Sequence, residues 1–190
     1  MKKDTATYHK LITAAATCFA EKGFSATSIR EIAEHAGISQ GAMYTYFDSK
    51  SALISAIVME EQHAALNAQQ KTTEGTFLER ICSLIVSCIN KVDYPASHHL
   101  WVEIIAESSR NARLRETFIA SDIVMRQGIS QLLEKGIEAG EFNEHLDPEE
   151  ITILLFAVID GLIGRKTINK QFSLDKDLPS LCNIIRKIII

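Results

Sequence analysis

The sequence contains little proline and little glycine, with 3 prolines and 9 glycines among 190 residues. These residues most often interrupt helices, and the alternation of β-branched and polar residues that is typical of strands is also missing. The pattern therefore predicts an all-α fold of about nine helices. Because 46% of the residues are apolar, the chain can bury a sizeable core, which argues against a disordered protein or a disulfide-dependent miniprotein.

Cysteine is also scarce, and no two cysteines have the C-x-x-C spacing of a metal or redox site. Each of the four lies among apolar neighbours: Cys18, Cys82, Cys88 and Cys182. We interpret them as reduced, packed thiols. Two histidines and an acid on one segment, His98, His99 and Glu103, are too few ligands for zinc without a fourth elsewhere. We therefore expect no metal and no cofactor.

No segment is long and apolar enough to predict a membrane helix. The longest apolar run, from Ile151 to Gly164, contains Asp160 and is shorter than the roughly 18 consecutive residues that a span requires. The first residues show neither the apolar stretch nor the small-residue cleavage site of a secretory leader. We expect a cytoplasmic protein without a membrane partner.

A strongly basic composition is missing as well, since the formal net charge is -4. The charge is unevenly distributed: residues 1–50 contain six Lys or Arg and five Asp or Glu, whereas the remaining 140 residues contain 14 and 19. The acidity therefore belongs to the C-terminal part and does not exclude DNA binding by the N-terminal part. It predicts a modest non-specific affinity for DNA with a shallow salt dependence.

Capping residues divide the N-terminal part into short helices. A first helix ends at Gly23, a second follows Ser28 and ends at Gly37, and a third begins after Ser39 and runs through Phe47. Asp48 or Ser49 caps a long fourth helix that begins at Lys50. Two short helices joined by a turn of three or four residues with a glycine form a helix-turn-helix, whose second helix enters the major groove of DNA.

Longer helices are predicted in the C-terminal part. Their boundaries are marked by a capping box at Thr76 and Glu79, a break at Tyr94–Pro95, a helix from Arg110 to Ala139, a start at Asp147–Pro148, and a last helix from about Leu178 to Ile190. The last two helices carry apolar residues on more than one side. We therefore predict that both pack against their symmetry mates in a homodimer, with burial inside one chain as the alternative.

The third helix has one face suited to the core and one suited to DNA. Met43 and Phe47 are four residues apart and are expected to pack inward. The opposite face carries Gln40, Gly41, Tyr44 and Thr45. Glutamine can bond an adenine edge, glycine allows close approach of the backbone, and hydroxyls reach phosphates or a thymine methyl group.

The run of residues 33–47, AEHAGISQGAMYTYF, followed by Lys50, resembles the N-terminal domain of TetR-family transcriptional regulators. The resemblance implies a DNA-binding domain at 1–48 and a ligand-binding and dimerisation domain at 49–190. It implies a homodimer that represses from a palindromic operator and is released by a small-molecule inducer. The implied DNA contacts are Thr27, Ser28, Ser39, Gln40, Gly41, Tyr44, Thr45, Tyr46 and Lys50. Position 40 is often lysine in the family, so Gln40 leaves the base preference open.

Some of these residues have a second interpretation. Tyr46 can instead pack at the junction with the fourth helix, and Lys50 can be an ordinary solvated lysine. Arg30 can pair with Glu34 one turn later and face water.

An inducer site is predicted among aromatic and acidic residues of the C-terminal part, where aromatic walls with one or two acids suit a cationic or polar aromatic molecule. The candidates are Trp101, Glu103, Glu107, Phe118, Asp122, Phe156 and Asp160. Asp160 interrupts an apolar helix, so it needs a ligand, a salt-bridge partner or a route to solvent. Trp101 has the alternative of a core anchor.

The predicted function is therefore a ligand-responsive, DNA-binding repressor, in which the fourth helix couples the inducer site to the recognition helices. The alternative is a helical carrier or an interaction protein with an unused helix-turn-helix. No Ser/His/Asp or Cys/His set, phosphate loop or metal cluster has mechanistic spacing, so we do not expect an enzyme.

Overall fold

The computed structural model describes residues 4–71, 74–90, 97–169, 171–172 and 174–190, and at residue 90 and residues 174–179 it describes the backbone alone. Within these ranges the chain is all-helical and has no strand, which confirms the predicted fold class. The helices are α1 (Thr5–Lys22), α2 (Ile29–His35), α3 (Gln40–Tyr44), α4 (Lys50–Lys71), α5 (Phe77–Asn90), α6 (His98–Ser108), α7 (Ala112–Glu138), α8 (Pro148–Ile168) and α9 (Leu174–Ile189).

The predicted caps explain most of the helix boundaries. Gly23 ends α1 with a φ of 78°, a backbone conformation that a residue with a side chain rarely adopts. Ser28 forms a capping box with Glu31 at the start of α2. Asp147 accepts hydrogen bonds from two backbone N–H groups in the first turn of α8, where Pro148 is the first helical residue. These local signals are readable from the sequence because they involve residues at most three positions apart.

Three predicted boundaries are wrong. α3 ends at Tyr44 and not at Phe47, because the Thr45 hydroxyl donates to the Ala42 carbonyl oxygen and the chain turns there. α7 begins at Ala112, since Asn111 accepts the N–H of Leu114 in its first turn. α9 begins at Leu174, one turn before the predicted start at Leu178. The predicted break at Tyr94–Pro95 lies outside the described residues.

The chain divides into two compact units. Unit 1 comprises residues 1–62 and 92–121, and unit 2 comprises residues 63–91 and 122–190. Unit 1 therefore contains α1 to α3, most of α4, α6 and the first part of α7. The boundary predicted between residues 48 and 49 stays a prediction, because a division by contacts does not identify which residues fold on their own.

Each unit has its own apolar core. In unit 1, Phe19, Ile32 and Met43 are fully buried, and Phe47 is nearly so. This confirms that Met43 and Phe47 face inward from the recognition segment. In unit 2, isoleucines of α5 pack with Leu132 and Leu133 of α7, with Leu155 of α8 and with residues of α9. Burial of one such side chain contributes about 1.5–3 kcal/mol, so several buried anchors fix the short helices of unit 1.

Candidate DNA-binding surface

α3 presents a polar surface that the core of unit 1 holds in place. A helix of five residues is not stable by itself, so its position depends on the buried Met43 and on the cap from Ser39, whose hydroxyl oxygen accepts the N–H of Ala42 at 3.1 Å. The outward face consists of Gln40, Gly41, Tyr44 and Thr45, all of which are exposed. We call these four residues the recognition surface. Tyr44 is 50% exposed.

Gly41 leaves the backbone of this surface open. A Cβ atom added at Gly41 would meet no other atom within 4 Å. The glycine is therefore not needed for packing within the described part of the chain. Its lack of a side chain instead leaves room for another molecule to approach the helix backbone, as the major-groove edge of DNA does.

The two hydroxyls at the start of α2 differ in accessibility. Thr27 is 2% exposed, and its hydroxyl lies 3.0 Å from the Cys18 carbonyl oxygen and 2.8 Å from that of Gly23. Ser28 is exposed and accepts the N–H of Glu31 at 3.2 Å. Ser28 is thus the member of this pair that a DNA phosphate can reach. The predicted DNA contacts of both residues stay predictions.

Glu31 links α2 to α1 beside this site. Its carboxylate accepts a hydrogen bond from the Lys22 ammonium at 2.7 Å and from the N–H and the hydroxyl of Ser28, each at 2.8 Å. The Lys22 bond, followed by the two Ser28 bonds, lowers the pKa of Glu31 to about 2. In the same helix, Arg30 donates to Glu34 at 2.7 Å, which is the i,i+4 pairing considered from the sequence.

Lys50 is occupied by the loop between α1 and α2. Its ammonium donates to the carbonyl oxygens of Phe24 at 2.7 Å, Ser25 at 3.3 Å and Thr27 at 2.7 Å. The same ammonium lies 4.7 Å from the centre of the Phe24 ring. The ammonium of Lys50 thus has a carbonyl acceptor for each of its three hydrogens, and it joins the start of α4 to this loop. We call this arrangement the Lys50 clamp. A phosphate contact from Lys50 stays a prediction and would require the ammonium to exchange one of these acceptors.

Tyr46 also contributes to the core. It is partly buried and packs against the apolar cluster of unit 1, next to Phe47. This geometry favours the packing interpretation for the ring and leaves its predicted DNA contact untested.

Glu103 has a role that the sequence does not indicate. Its carboxylate accepts the backbone N–H of Phe24 at 3.2 Å, and it lies 3.3 Å from the position that a Cβ atom of Gly23 would occupy. Glu103 therefore joins α6 to the same loop that Lys50 clamps. The contact spans 79 positions along the chain, so no local pattern announces it, and the acid was predicted to face an inducer instead.

The other candidate inducer residues fall in different units. Trp101 and Phe118 lie in unit 1 with ring centres 5.7 Å apart, and both pack against its core. Glu107 is buried there and pairs with Arg110 at 3.1 Å. In unit 2, Asp122 pairs with Arg126 at 2.8 Å, while Phe156 packs against the core and Asp160 is partly buried. Binding of an inducer by this set stays a prediction.

Unit 2 exposes large aliphatic side chains on two helices. On α8 these are the neighbouring residues Ile153 and Leu154, with the small exposed residues Ala157 and Gly161 one and two turns later, and on α9 they are Ile184 and Ile188. Ile153 is 53% exposed. Exposed aliphatic residues at helical spacing are typical of a surface that another helix covers.

Neither a metal cluster nor a membrane helix is found in the part of the chain that the structure describes. No group of three His, Cys, Asp or Glu side chains there is close enough to bind an ion. No described helix is long and apolar enough to span a bilayer.

Two family models of bacterial transcriptional regulators match this chain. Residues 11–57 match the family model for bacterial regulatory proteins of the tetR family, and residues 78–178 match the model for the C-terminal domain of BetI-type transcriptional repressors. The HTH-type transcriptional regulator UidR of Escherichia coli K12 is 28% identical over 156 residues, which are 82% of this chain and 79% of UidR.

Solved structures share the whole fold. GusR of Salmonella enterica has a TM-score of 0.83 and 26% identity, and the match covers 99% of this chain and 95% of GusR. The regulator FadR of Bacillus subtilis, solved in complex with stearoyl-CoA, has a TM-score of 0.74 and 21% identity over 95% of this chain and 96% of FadR. The second family model alone spans more than half of this chain. The chain therefore belongs to the TetR family of transcriptional regulators.

Proposed function

We propose that the protein is a cytoplasmic, homodimeric repressor that binds a palindromic operator and leaves it when a small molecule binds. The observation that carries the proposal is the recognition surface: a polar, exposed helix face fixed by the buried Met43. Its amide and hydroxyl groups suit base edges and phosphates, and Gly41 leaves space for close approach of the backbone.

The exposed aliphatic residues of α8 and α9 support the homodimer. Left in water, residues such as Ile153 and Ile184 forgo the free energy of burial, about 25 cal/mol per Å² of apolar surface. Covering them with the same helices of a second copy gives a self-complementary interface. Two recognition helices would then bind two half-sites about 34 Å apart on one side of the duplex.

Release by a small molecule is supported by the contacts of unit 1. Glu103 of α6 and Lys50 of α4 both hold the loop between α1 and α2, which leads directly into the helix-turn-helix. A displacement of α6 or α4 would therefore reach α2 and α3 through hydrogen bonds and not through packing alone. An inducer that binds best to the displaced state would shift the population away from the DNA-binding state.

DNA binding is tested with fluorescently labelled DNA from upstream of the protein's own gene. Tyr44→Ala is expected to weaken binding about tenfold, since a specific contact to a base edge contributes about 1–3 kcal/mol. Met59→Ala is the matched control, because Met59 is an exposed helical residue of α4 outside the recognition surface. Equal affinities for the two variants would contradict the proposed surface.

Induction is tested by a thermal-shift screen against metabolites and drugs, followed by operator titrations with each stabilising compound. We expect at least one compound to raise the unfolding temperature and to weaken operator binding. Compounds that stabilise the protein and leave its operator affinity unchanged would contradict release by an inducer.

A further inference from the structure

Most positive side chains near the helix-turn-helix are bonded inside the protein. Lys22 and Arg30 each pair with a glutamate at 2.7 Å. Lys50 donates to three carbonyl oxygens. Among the lysines and arginines that the structure describes between residues 4 and 50, Lys10 is the one without a hydrogen bond or a salt bridge to the protein. Its ammonium is therefore available to another molecule.

Lys10 lines an open groove of about 650 Å³ between α1 and α2, which we call the α1–α2 groove. His9 and Thr13 of α1 and His35 of α2 line it as well, and the remaining lining residues are alanines. These four polar side chains are all exposed. The groove thus combines one ammonium with two imidazoles, and its lining contains no carboxylate. Such a set of N–H donors suits an anionic oxygen.

The acids that stand beside the groove in the chain, Asp4 and Glu34, already have partners. Asp4 caps α1, where it accepts the Thr7 hydroxyl at 2.7 Å and two backbone N–H groups at 3.2 Å each. These hydrogen bonds lower the pKa of Asp4, and the charge of Lys10 contributes less than any of them. Glu34 accepts a hydrogen bond from Arg30 at 2.7 Å. Neither acid therefore binds the Lys10 ammonium.

The groove lies at the end of α2 that leads into α3. The other end of α2 adjoins the end of α1, where the Thr27 hydroxyl donates to the Cys18 carbonyl oxygen. Because α2 has seven residues, it is about 10 Å long. The major groove of B-DNA is about 12 Å wide, and the first helix of a helix-turn-helix crosses the backbone. A duplex that holds the recognition surface in its major groove can therefore present phosphates at both ends of α2, beside Ser28 and in the α1–α2 groove.

We propose that the α1–α2 groove binds a phosphate of the DNA backbone that borders the major groove entered by α3. The Lys10 ammonium supplies the charge, and the His35 imidazole donates an N–H to the same phosphate. The exposure of the polar lining residues suits a phosphate in a polymer backbone and not a small anion, which a protein binds by enclosing it. Such a contact fixes the orientation of the protein on the duplex but reads no base.

This inference rests on the proposed function, because it requires DNA at the recognition surface. It adds a contact from α1, whereas the contacts implied by the sequence lie in or next to α2, α3 and the start of α4. It also explains how a region with few available cations holds the backbone: a small number of phosphate contacts suffices, and each has a measurable share of the salt dependence.

The test measures the affinity of the full-length protein for labelled DNA from upstream of its own gene and for unrelated DNA of the same length, over a range of salt concentrations. Lys10→Gln should weaken binding to both DNAs about fivefold per bound protomer at about 0.15 M salt, and should reduce the slope of log K against log salt concentration by about 0.9 per protomer. Tyr44→Ala, in contrast, should weaken mainly the binding to the upstream DNA. Lys71→Gln is the matched control, since it removes the same charge from an exposed lysine of α4 and should leave the slope nearly unchanged.

His35→Ala tests the second donor. Loss of one hydrogen bond should weaken binding about two- to tenfold. His63→Ala is its control, because His63 is an exposed histidine of α4 outside the groove. Since Lys10 and His35 are exposed, both variants should keep unfolding temperatures within about 2 °C of the wild type.

Ethylation interference locates the phosphate. With the wild type, ethylation of a phosphate bordering each half-site should block binding, and with Lys10→Gln the same ethylation should interfere less. Equal slopes for Lys10→Gln and Lys71→Gln, or an unchanged interference pattern, would overturn the proposed groove contact and leave the proposed function standing. Failure of the wild type to bind either DNA would overturn both.

Discussion

The recognition surface of α3 and the exposed aliphatic residues of α8 and α9 are both accessible to solvent, but they have opposite chemistry. The first is polar and belongs to unit 1, whose short helices are held by a closed core. The second is apolar and belongs to unit 2, which leaves isoleucines and a leucine uncovered. The difference is consistent with the two partners proposed above: a polar duplex for the recognition surface, and a second copy of the chain for the exposed aliphatic residues of α8 and α9.

The largest effect, on dimerisation and operator affinity, is expected from a charge on the exposed aliphatic surface of α8. Ile153→Glu would bury an unpaired carboxylate between two copies, which costs several kcal/mol. We expect the variant to be monomeric in analytical ultracentrifugation. Its operator affinity should fall about 100-fold, because a monomer loses the advantage of two linked half-site contacts.

Ile119→Glu is the matched control for this substitution. Ile119 is 50% exposed, nearly as much as Ile153, but it lies on α7 in unit 1. We expect this variant to remain dimeric. A dimeric Ile153→Glu variant would contradict an interface formed by α8 and α9, and a monomeric Ile119→Glu variant would contradict an interface confined to these two helices.

The next largest effect is expected on the stability of the fold when the Lys50 ammonium, which holds the loop between α1 and α2, is removed. Lys50→Met keeps the methylene groups near Phe24 and removes the ammonium that three carbonyl oxygens share. We expect a loss of about 2 kcal/mol, since hydrogen bonds to charged groups contribute about 1.5–3 kcal/mol each and water replaces part of them. Calorimetry should show an unfolding temperature lower by about 4–8 °C.

Lys71→Met is the control, because Lys71 is an exposed lysine at the other end of α4. The measurement also separates the two interpretations of Lys50. A clamp lowers the unfolding temperature, whereas a phosphate contact alone leaves it unchanged and reduces the slope of log K against log salt concentration by about 0.9.

A smaller effect is expected at the link between α6 and the loop. Glu103→Ala removes the acceptor for the Phe24 N–H, whereas Glu103→Gln keeps an oxygen there. Because one hydrogen bond contributes about 1 kcal/mol, Glu103→Ala should raise the hydrogen-exchange rate of the Phe24 amide about fivefold. Glu103→Gln should remain close to the wild type. Equal exchange in all three proteins would show that Glu103 does not hold the loop.

The smallest effect is the pH dependence contributed by Glu31. Its pKa is lowered from 4.5 to about 2 in the folded protein, so its ionised form stabilises the fold. This contribution is complete above about pH 4.5 and is lost as the pH falls towards about 2. Urea midpoints should therefore differ between wild type and Glu31→Gln at about pH 6, and the difference should shrink at about pH 3. A constant difference would contradict the assigned cause.

The fold and the recognition surface could be predicted because their signals are local. Ser28 caps α2 and Ser39 caps α3 through bonds to residues three positions away, and Met43 faces the core because of helical spacing. The roles of Glu103 and Lys50 could not be predicted in this way. Glu103 bonds to Phe24, 79 positions distant, and Lys50 to carbonyl oxygens 23 to 26 positions away.

The cysteines illustrate the same division. Cys18 is the buried thiol that its apolar neighbours predict. The packing of Cys82 against the apolar cluster of unit 2, to which α5 and α9 both contribute, depends instead on contacts between distant helices that no spacing in the sequence contains. Residue type and periodicity predict which face of a helix is buried, but they do not predict which distant residue meets it.

The most direct test of the recognition surface is Gly41→Ala, measured by fluorescence anisotropy with operator DNA and by thermal unfolding. Since a Cβ atom at this position meets nothing within 4 Å, the fold should be preserved, and the added helix propensity should keep the unfolding temperature equal or slightly higher. We expect operator affinity to fall at least about tenfold, because the methyl group occupies the space in which the backbone approaches the groove. Unchanged affinity in a stably folded variant would contradict DNA binding by this surface.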